Sequence, residues 1–265
     1  MLNEYVKQRI LITVLTYPHP SKSLRELVCT AGINDRGEWV RLYPVDLRYR
    51  PKHQRFRKYQ WIEVDLNRGG AHNDQRKESH RPNLHTIRVL GEPLPTNDKW
   101  RQRRRIIDPL PVYTCTQLQQ LYETDRTSLG IVRPSEVLEL KVEKELREWK
   151  PEWQAVLNQF DLFDGIPKKL QKIPYKFSYI FRCEDRTEPH KAMIEDWEMG
   201  ILFLNERERL GSEARAIESV RNNFLEKMCA PDRDTRFFMG TVLPYNSWVV
   251  IGVFWPPKDN QPELF

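Results

Sequence analysis

The opening third reads as β-strands, with apolar and polar positions alternating at a period of two over residues 39–43 and 61–66. Residues 10–16 are rich in β-branched side chains and stop at Pro18, His19 and Pro20. Residues 26–33 and 38–43 flank the turn Asn34, Asp35, Arg36, Gly37 and read as a hairpin. In its second arm Trp39, Arg41 and Tyr43 alternate with Val40 and Leu42. Residues 59–66 predict a fourth strand and residues 84–90 a fifth. The polar, Gly-, His- and Arg-rich stretch 67–82 reads as a long loop.

Beyond residue 110 the period changes. A short helix is expected over 116–123, with Leu118 and Leu121 inward and Thr114 or Thr116 capping. Strand character returns after Pro134 with Val137, Leu138, Leu140 and Val142, and again over 175–183. Residues 149–153 and 161–174 read as connecting loop with a helical turn. A helix is expected from about Pro189, capped by Thr187, because Met193, Trp197, Ile201 and Leu204 recur at spacings of 4, 4 and 3. A second follows Gly211 and Ser212, with Ile217, Val220, Phe224, Leu225 and Met228 on one stripe. Residues 237–243 and 248–255 form a closing hairpin whose second strand is apolar on both faces, hence central. The expected class is α+β and β-rich: two small OB-like antiparallel barrels or sheets, the second carrying two helices. The expected divisions are a basic β domain at 1–125, an α+β domain at 126–256 and a tail at 257–265.

Charge sharpens this picture. The net charge is +6, yet residues 36–105 hold 18 Lys and Arg against 8 Asp and Glu. Such polarity within one chain is the footprint of a polyanion partner. The densest part, residues 48–61, has six basic residues, no acidic one and four aromatics. Cations neutralise phosphate while aromatic faces stack on unpaired bases. The competing reading is a solvated basic loop with its aromatics turned inward. Candidate nucleic-acid contacts are Arg41, Tyr43, Arg48, Arg50, Lys52, Arg55, Arg57 and Lys58, joined by the second cluster Arg101, Arg103, Arg104 and Arg105. Cys29, Cys115, Cys183 and Cys229 show no paired spacing, so neither a disulfide framework nor a zinc knuckle is expected. No cleavable leader or membrane-spanning run is read, and a cytoplasmic location without a membrane partner is expected.

Chemistry is sparser. There is no nucleophile elbow, phosphate loop or dinucleotide fingerprint. His190, Asp196 and Glu198, close to Cys183, are the candidate catalytic group, with a divalent metal as cofactor only if the chain is an enzyme. Against this, Asp196 and Glu198 do not share a helix face, and acidic residues at a helix start also stabilise its dipole. No resident cofactor or metal is otherwise expected. His72, Asp74, His80 and His85 form a weaker metal candidate.

Two resemblances complete the reading. The runs VCTAG at 28–32, WVRLYP at 39–44, YQWIEV at 59–64, SLGIV at 128–132 and HKAMIEDWE at 190–198 resemble the prokaryotic dual OB-containing domain family. That resemblance spans roughly residues 8–256, and implies two barrel-like halves and a role in nucleic-acid transactions, often against mobile elements. The ending Gln261, Pro262, Glu263, Leu264, Phe265 resembles the peptide by which bacterial polymerases and repair factors dock on the DNA sliding clamp. It implies that Gln261 bonds at a groove edge while Leu264 and Phe265 fill its apolar pocket. Pro262 departs from the leucine or serine usual at that position. The expected function is therefore binding of single-stranded or partly unpaired DNA, with recruitment to the clamp. The alternative is a nuclease or modified-base processor built on His190, Asp196 and Glu198.

Overall fold

A computed structural model describes residues 5–22, 24, 26–68, 74–159, 169–242 and 247–259. In its first half the strands are β1 (Val6–Leu15), β2 (His19–Pro20), β3 (Glu26–Leu27), β4 (Thr30–Asn34), β5 (Trp39–Leu42), β6 (Trp61–Asn67), β7 (Ser79–Pro82) and β8 (Arg88–Leu90). Five of them close on themselves in the order β1-β4-β5-β7-β6 and back to β1. All pairings are antiparallel except β5 with β7. Counting only these five, the order is first, second, third, fifth, fourth, with the third and fifth parallel. This is the Greek-key path of an OB barrel.

Ile10, Ile12, Val40, Leu42, Ile62, Val64 and Leu66 fill its interior. A bulge in β1 between Ile12 and Val14 changes the face that follows. Val14 consequently leaves the barrel interior and joins a different apolar cluster. Gly32 lies where β4 presses on β1: a Cβ there would sit 2.2 Å from the Leu11 carbonyl oxygen.

After α1 (Asn97–Ile107), β9 (Val112–Tyr113) and α2 (Cys115–Asp125), the second half repeats the plan. Its strands are β10 (Leu129–Val132), β11 (Glu136–Lys144), β12 (Tyr175–Cys183), β13 (Arg186–Met193), β14 (Arg236–Val242) and β15 (Ser247–Phe254). Helix α3 (Pro151–Gln159) precedes β12, while α4 (Trp197–Leu210) and α5 (Glu213–Arg221) lie between β13 and β14. β10 and β11 act as one strand interrupted at residues 133–135. They pair with β14 on one side and β12 on the other, and β13 reaches β15 through the parallel bridge Ile194–Val250. The order is again first, second, third, fifth, fourth. Phe177, Tyr179, Phe181, Phe203, Phe224 and Phe237 form its core.

A third cluster joins the halves. Val14, Ala31 and Ile33 from the outside of the first barrel pack on Leu129, Ile131, Phe238, Val249 and Ile251 of the second. Arg41 strengthens this junction. Its guanidinium donates to the Ser128 carbonyl at 3.0 Å, and Ser128 in turn donates its backbone N–H and hydroxyl to Glu78.

Several expectations change. Residues 186–193 form strand β13, not the start of a helix; the ladder with β12 overrides the local apolar period. Pro189 is tolerated there because that side of β13 lies at a sheet edge. The helix begins at Trp197, capped by Asp196, whose side chain accepts from the Glu198 N–H at 2.8 Å, and it ends at left-handed Gly211. The stretch 67–82 is not all loop, since β7 supplies the parallel neighbour that closes the first barrel. Residues 84–90 are a 3-10 turn followed by the short β8, and α1 occupies what read only as a charge cluster. The helix at 115–125 agrees with expectation, with a Thr114–Gln117 capping box. No described helix is long and apolar enough to cross a membrane.

Candidate nucleic-acid interface

Residues 43–60 link β5 to β6, and apolar side chains fix their path. Val45, Leu47 and Phe56 are buried in the first barrel, so the segment must cross its open end. Two 3-10 turns, Leu47–Tyr49 and Lys52–Gln54, make the crossing. The Gln54 amide donates to the His85 carbonyl at 3.2 Å. With these groups turned inward, Lys52, Arg55 and Arg57 remain outside. Tyr59 ends the crossing in the left-handed region at φ 60°, and its carbonyl accepts from the Leu94 N–H at 2.7 Å.

Tyr59 forms one wall of a cleft of about 680 Å³ between the barrels. α1 forms the next. Asp98, Lys99 and Trp100 have φ of 49°, 49° and 65°, a left-handed turn that costs L-residues roughly 1–2 kcal/mol each. The turn directs Trp100 beneath the helix, edge-on to Trp255 at 5.2 Å and to Phe254 at 5.5 Å. The Arg103 guanidinium stands 3.8 Å from the Tyr59 ring centroid and 4.9 Å from that of Trp100. Its Nε donates to the Leu94 carbonyl at 2.8 Å. Ring faces hold this cation without neutralising it, and no described carboxylate pairs with it. Trp197 and Trp255 complete the aromatic lining, with Arg55 and Arg57 at the rim.

The floor is ionic. The Lys58 ammonium lies 2.7 Å from both Asp196 oxygens and 3.0 Å from Glu198. Lys58 and Asp196 are 7% and 2% exposed, whereas Glu198 is 64% exposed at the mouth. Burial alone would lower the Lys58 pKa, but Asp196 and Glu198 outweigh it and hold the ammonium well above its usual range. This pair ties the first barrel to the start of α4.

The remaining sequence candidates divide. Arg41 is 3% exposed and belongs to the junction between barrels; burial, with Arg76 adding, pulls its pKa down to about 10. Tyr43 is exposed. Arg48 lines the cleft but forks onto buried Glu26, and Arg50 binds Asp46. Arg101, Arg104 and Arg105 face away from Arg103, toward a second groove shared with Asp98, Asp108 and Asp259. There Arg101 pairs with Asp98, and Arg104 pairs with Asp108 and donates to the Pro257 carbonyl. Lys52, Arg55 and Arg105 have no carboxylate partner among the described residues, and Arg57 meets only the exposed Glu92. The cleft thus gathers Arg48, Arg55, Arg57, Lys58 and Arg103 from two sequence clusters. Trp100, Trp197 and Trp255 are the cleft residues that sequence reasoning missed. Abundant tryptophan was their one trace.

His190 and the Asp196–Glu198 pair have separate partners. His190, on β13, lies beside Cys115 and Cys183, and burial, with Arg186 adding, lowers its pKa. Asp196 is occupied with Lys58 and the α4 cap. Of the weaker metal candidates, His80 points Nδ1 at the Glu78 carbonyl at 2.8 Å, and His72 lies outside the described residues. So do Gln261, Leu264 and Phe265.

The usual ligand face of an OB barrel is that of its second and third strands. In the first barrel these are β4 and β5, whose Ala31, Ile33 and Trp39 are covered by the second barrel. In the second barrel, charges on the β11–β12–β13 sheet compensate one another through Arg182–Glu136 and Lys191–Glu143. In the cleft, Arg55 and Arg103 share space with aromatic rings and have no carboxylate partner among the described residues.

Residues 112–265, more than half of the chain, match the family model described as Domain of unknown function (DUF8757). Residues 6–109 match a second, described as Domain of unknown function (DUF8758). No curated protein matches. Among solved structures, a murine DNA binding protein bound with ds DNA aligns over 98% of this chain and 99% of its own, at 8% identity and a TM-score of 0.30. A Replication Protein A heterotrimer bound to ssDNA aligns over 97% of this chain and 66% of its own, at 12% identity and a TM-score of 0.28. Likeness at that level carries no argument; the barrel assignment rests on strand order.

Proposed function

We propose that this chain, which belongs to the family described as Domain of unknown function (DUF8757), binds single-stranded or locally unpaired nucleic acid in the cleft between its barrels. One observation carries the reading: Arg55, Arg57 and Arg103 share a cleft with Trp100, Trp197 and Trp255, and none of the three arginines is paired with a buried carboxylate. Guanidinium groups neutralise phosphates, and the half-buried rings of Trp197 and Trp255 offer stacking surface to bases freed from a duplex, with buried Trp100 backing them. Lys58 and Arg48 contribute less, because Asp196 and Glu26 already hold them.

The test is a salt series. With three phosphate contacts at ~0.7 each, log affinity for a fluorescent oligonucleotide falls against log salt with a slope near −2. Replacing Arg55, Arg57 and Arg103 together by Gln flattens that slope and weakens binding, while Arg88→Gln, on exposed β8, changes neither. No measurable affinity for any single strand, or a triple variant that binds like the wild type, sinks the reading.

Recruitment to a sliding clamp through Gln261, Leu264 and Phe265 is the second part of the proposal, with replication, repair or defence against mobile elements as its setting. Its support is the sequence match of those residues. Deleting residues 261–265 abolishes capture by immobilised clamp and leaves oligonucleotide binding intact. Equal capture with and without them ends that part.

A further inference from the structure

The β12–β13 turn and the start of α2 bring together three soft donors that lie far apart in sequence. Cys115 opens α2, held by the Thr114–Gln117 capping box. Cys183 closes β12 and is buried. His190 sits opposite Phe181 in the β12–β13 ladder, its ring lying over that of Phe181 at 5.5 Å and 31°. The donor atoms of Cys115, Cys183 and His190 all lie within 4.8 Å of one another. His190 Nε2 is buried without a hydrogen-bond partner in the structure. A buried imidazole nitrogen left so is costly unless something else satisfies it.

The two sulfurs are 3.8 Å apart. A disulfide would require about 2.05 Å. Two thiolates on a tetrahedral Zn²⁺, with bonds of about 2.3 Å, stand about 3.75 Å apart. Thiolate and imidazole donors favour Zn²⁺ over Mg²⁺ or Ca²⁺, which take oxygen. The carboxylate of Asp185, in the turn between β12 and β13, acts electrostatically on all three groups.

We propose that Cys115, Cys183 and His190 form a structural Zn²⁺ site that pins α2 to the β12–β13 hairpin, with the fourth position left to water or an incoming ligand. On binding, the two thiols release their protons to solvent and the imidazole ligates through Nε2. The site is independent of the cleft, and its failure leaves the nucleic-acid reading untouched.

The full chain, expressed in zinc-supplemented medium and dialysed against a weak chelator, retains about one equivalent of Zn²⁺ by elemental mass spectrometry. Exchange with Co²⁺ gives the thiolate charge-transfer band and the visible bands of a tetrahedral ion. Cys115→Ser and His190→Ala, both at partly exposed positions, each reduce retained zinc at least ~10-fold. Cys29→Ser and Cys229→Ser retain it in full. Stripping the metal with a strong chelator lowers the melting temperature of the wild type but not of His190→Ala. Zinc below a tenth of an equivalent in the wild type overturns the proposal. So does unchanged zinc in both Cys115→Ser and His190→Ala, or a Cys115–Cys183 disulfide in the freshly isolated protein by non-reducing peptide mapping.

Discussion

Lys58→Met offers the sharpest test of how the barrels are held. The ammonium meets both oxygens of Asp196 at 2.7 Å, in a site where neither partner is more than 7% exposed. Removing one member of such a pair strands the other, at roughly 3–5 kcal/mol. Glu198 adds little to that cost because it is 64% exposed and regains water. Asp196→Asn should cost less, since asparagine caps a helix about as well as aspartate. The double variant Lys58→Met with Asp196→Asn places two neutral groups together and should recover most of the loss, ending within about 1.5 kcal/mol of the wild type. Urea unfolding followed by tryptophan fluorescence reads all four proteins. At roughly 2–4 °C per kcal/mol, Lys58→Met melts about 6–20 °C lower.

Acid supplies an independent sign. Burial raises the Asp196 pKa against the pull of Lys58, so removing Lys58 raises it further and the folded variant holds the extra proton over a wider interval above the unfolded value. The deficit of Lys58→Met is therefore full at neutral pH and shrinks as the pH falls through that raised pKa. A loss below about 1 kcal/mol, or single-variant losses that simply add, refutes the account.

Other outcomes follow from the same geometry. Glu198→Gln removes a negative charge from the cleft mouth and should tighten oligonucleotide binding about 2–5-fold, in line with the worth of exposed charge pairs; weaker binding contradicts the proposed path. Trp255→Ala should cost about 1–3 kcal/mol of single-strand affinity if that ring carries a stacked base, measured by anisotropy on protein shown folded by circular dichroism. His19 would have its pKa lowered by burial, but Glu195 prevails and raises it. Its stabilising contact is thus complete below about pH 6.5 and lost as pH climbs through the raised value. Since His19 is 57% exposed, His19→Gln should change the pH 5.5 to 8.5 stability difference by under ~1 kcal/mol.

What the sequence disclosed was the period-two strands whose partners are near in sequence. β4 and β5 pair around Gly37 as the alternation of β5 suggested, and β14 pairs with β15 as two apolar runs close in sequence should. β7 was illegible because Ser79, His80, Arg81 and Pro82 hold no apolar pattern; it is a strand only because β5 and β6 offer it partners. Residues 186–193 misled for the opposite reason, since Met193, Trp197 and Ile201 mimic a helical stripe while β12 imposes a ladder. Charge density drew attention to residues 48–61, but density does not reveal pairing. Glu26 and Asp196, remote in sequence, occupy Arg48 and Lys58. The meeting of Cys115 with Cys183 was hidden for the same reason, as its spacing exists only after both barrel ends are folded.

The apolar seam that joins the halves has a bearing on their independence. Splitting the chain between residues 109 and 112 would leave Ala31, Ile33 and Trp39 on one fragment facing water, and Leu129, Ile131 and Phe238 on the other. Neither fragment should stay monodisperse alone, and calorimetry of the intact chain should show one melting event where two modules on a string would give two. On the proposed function, nucleic acid would meet a preset mould in the cleft, with no hinge needed to close around it.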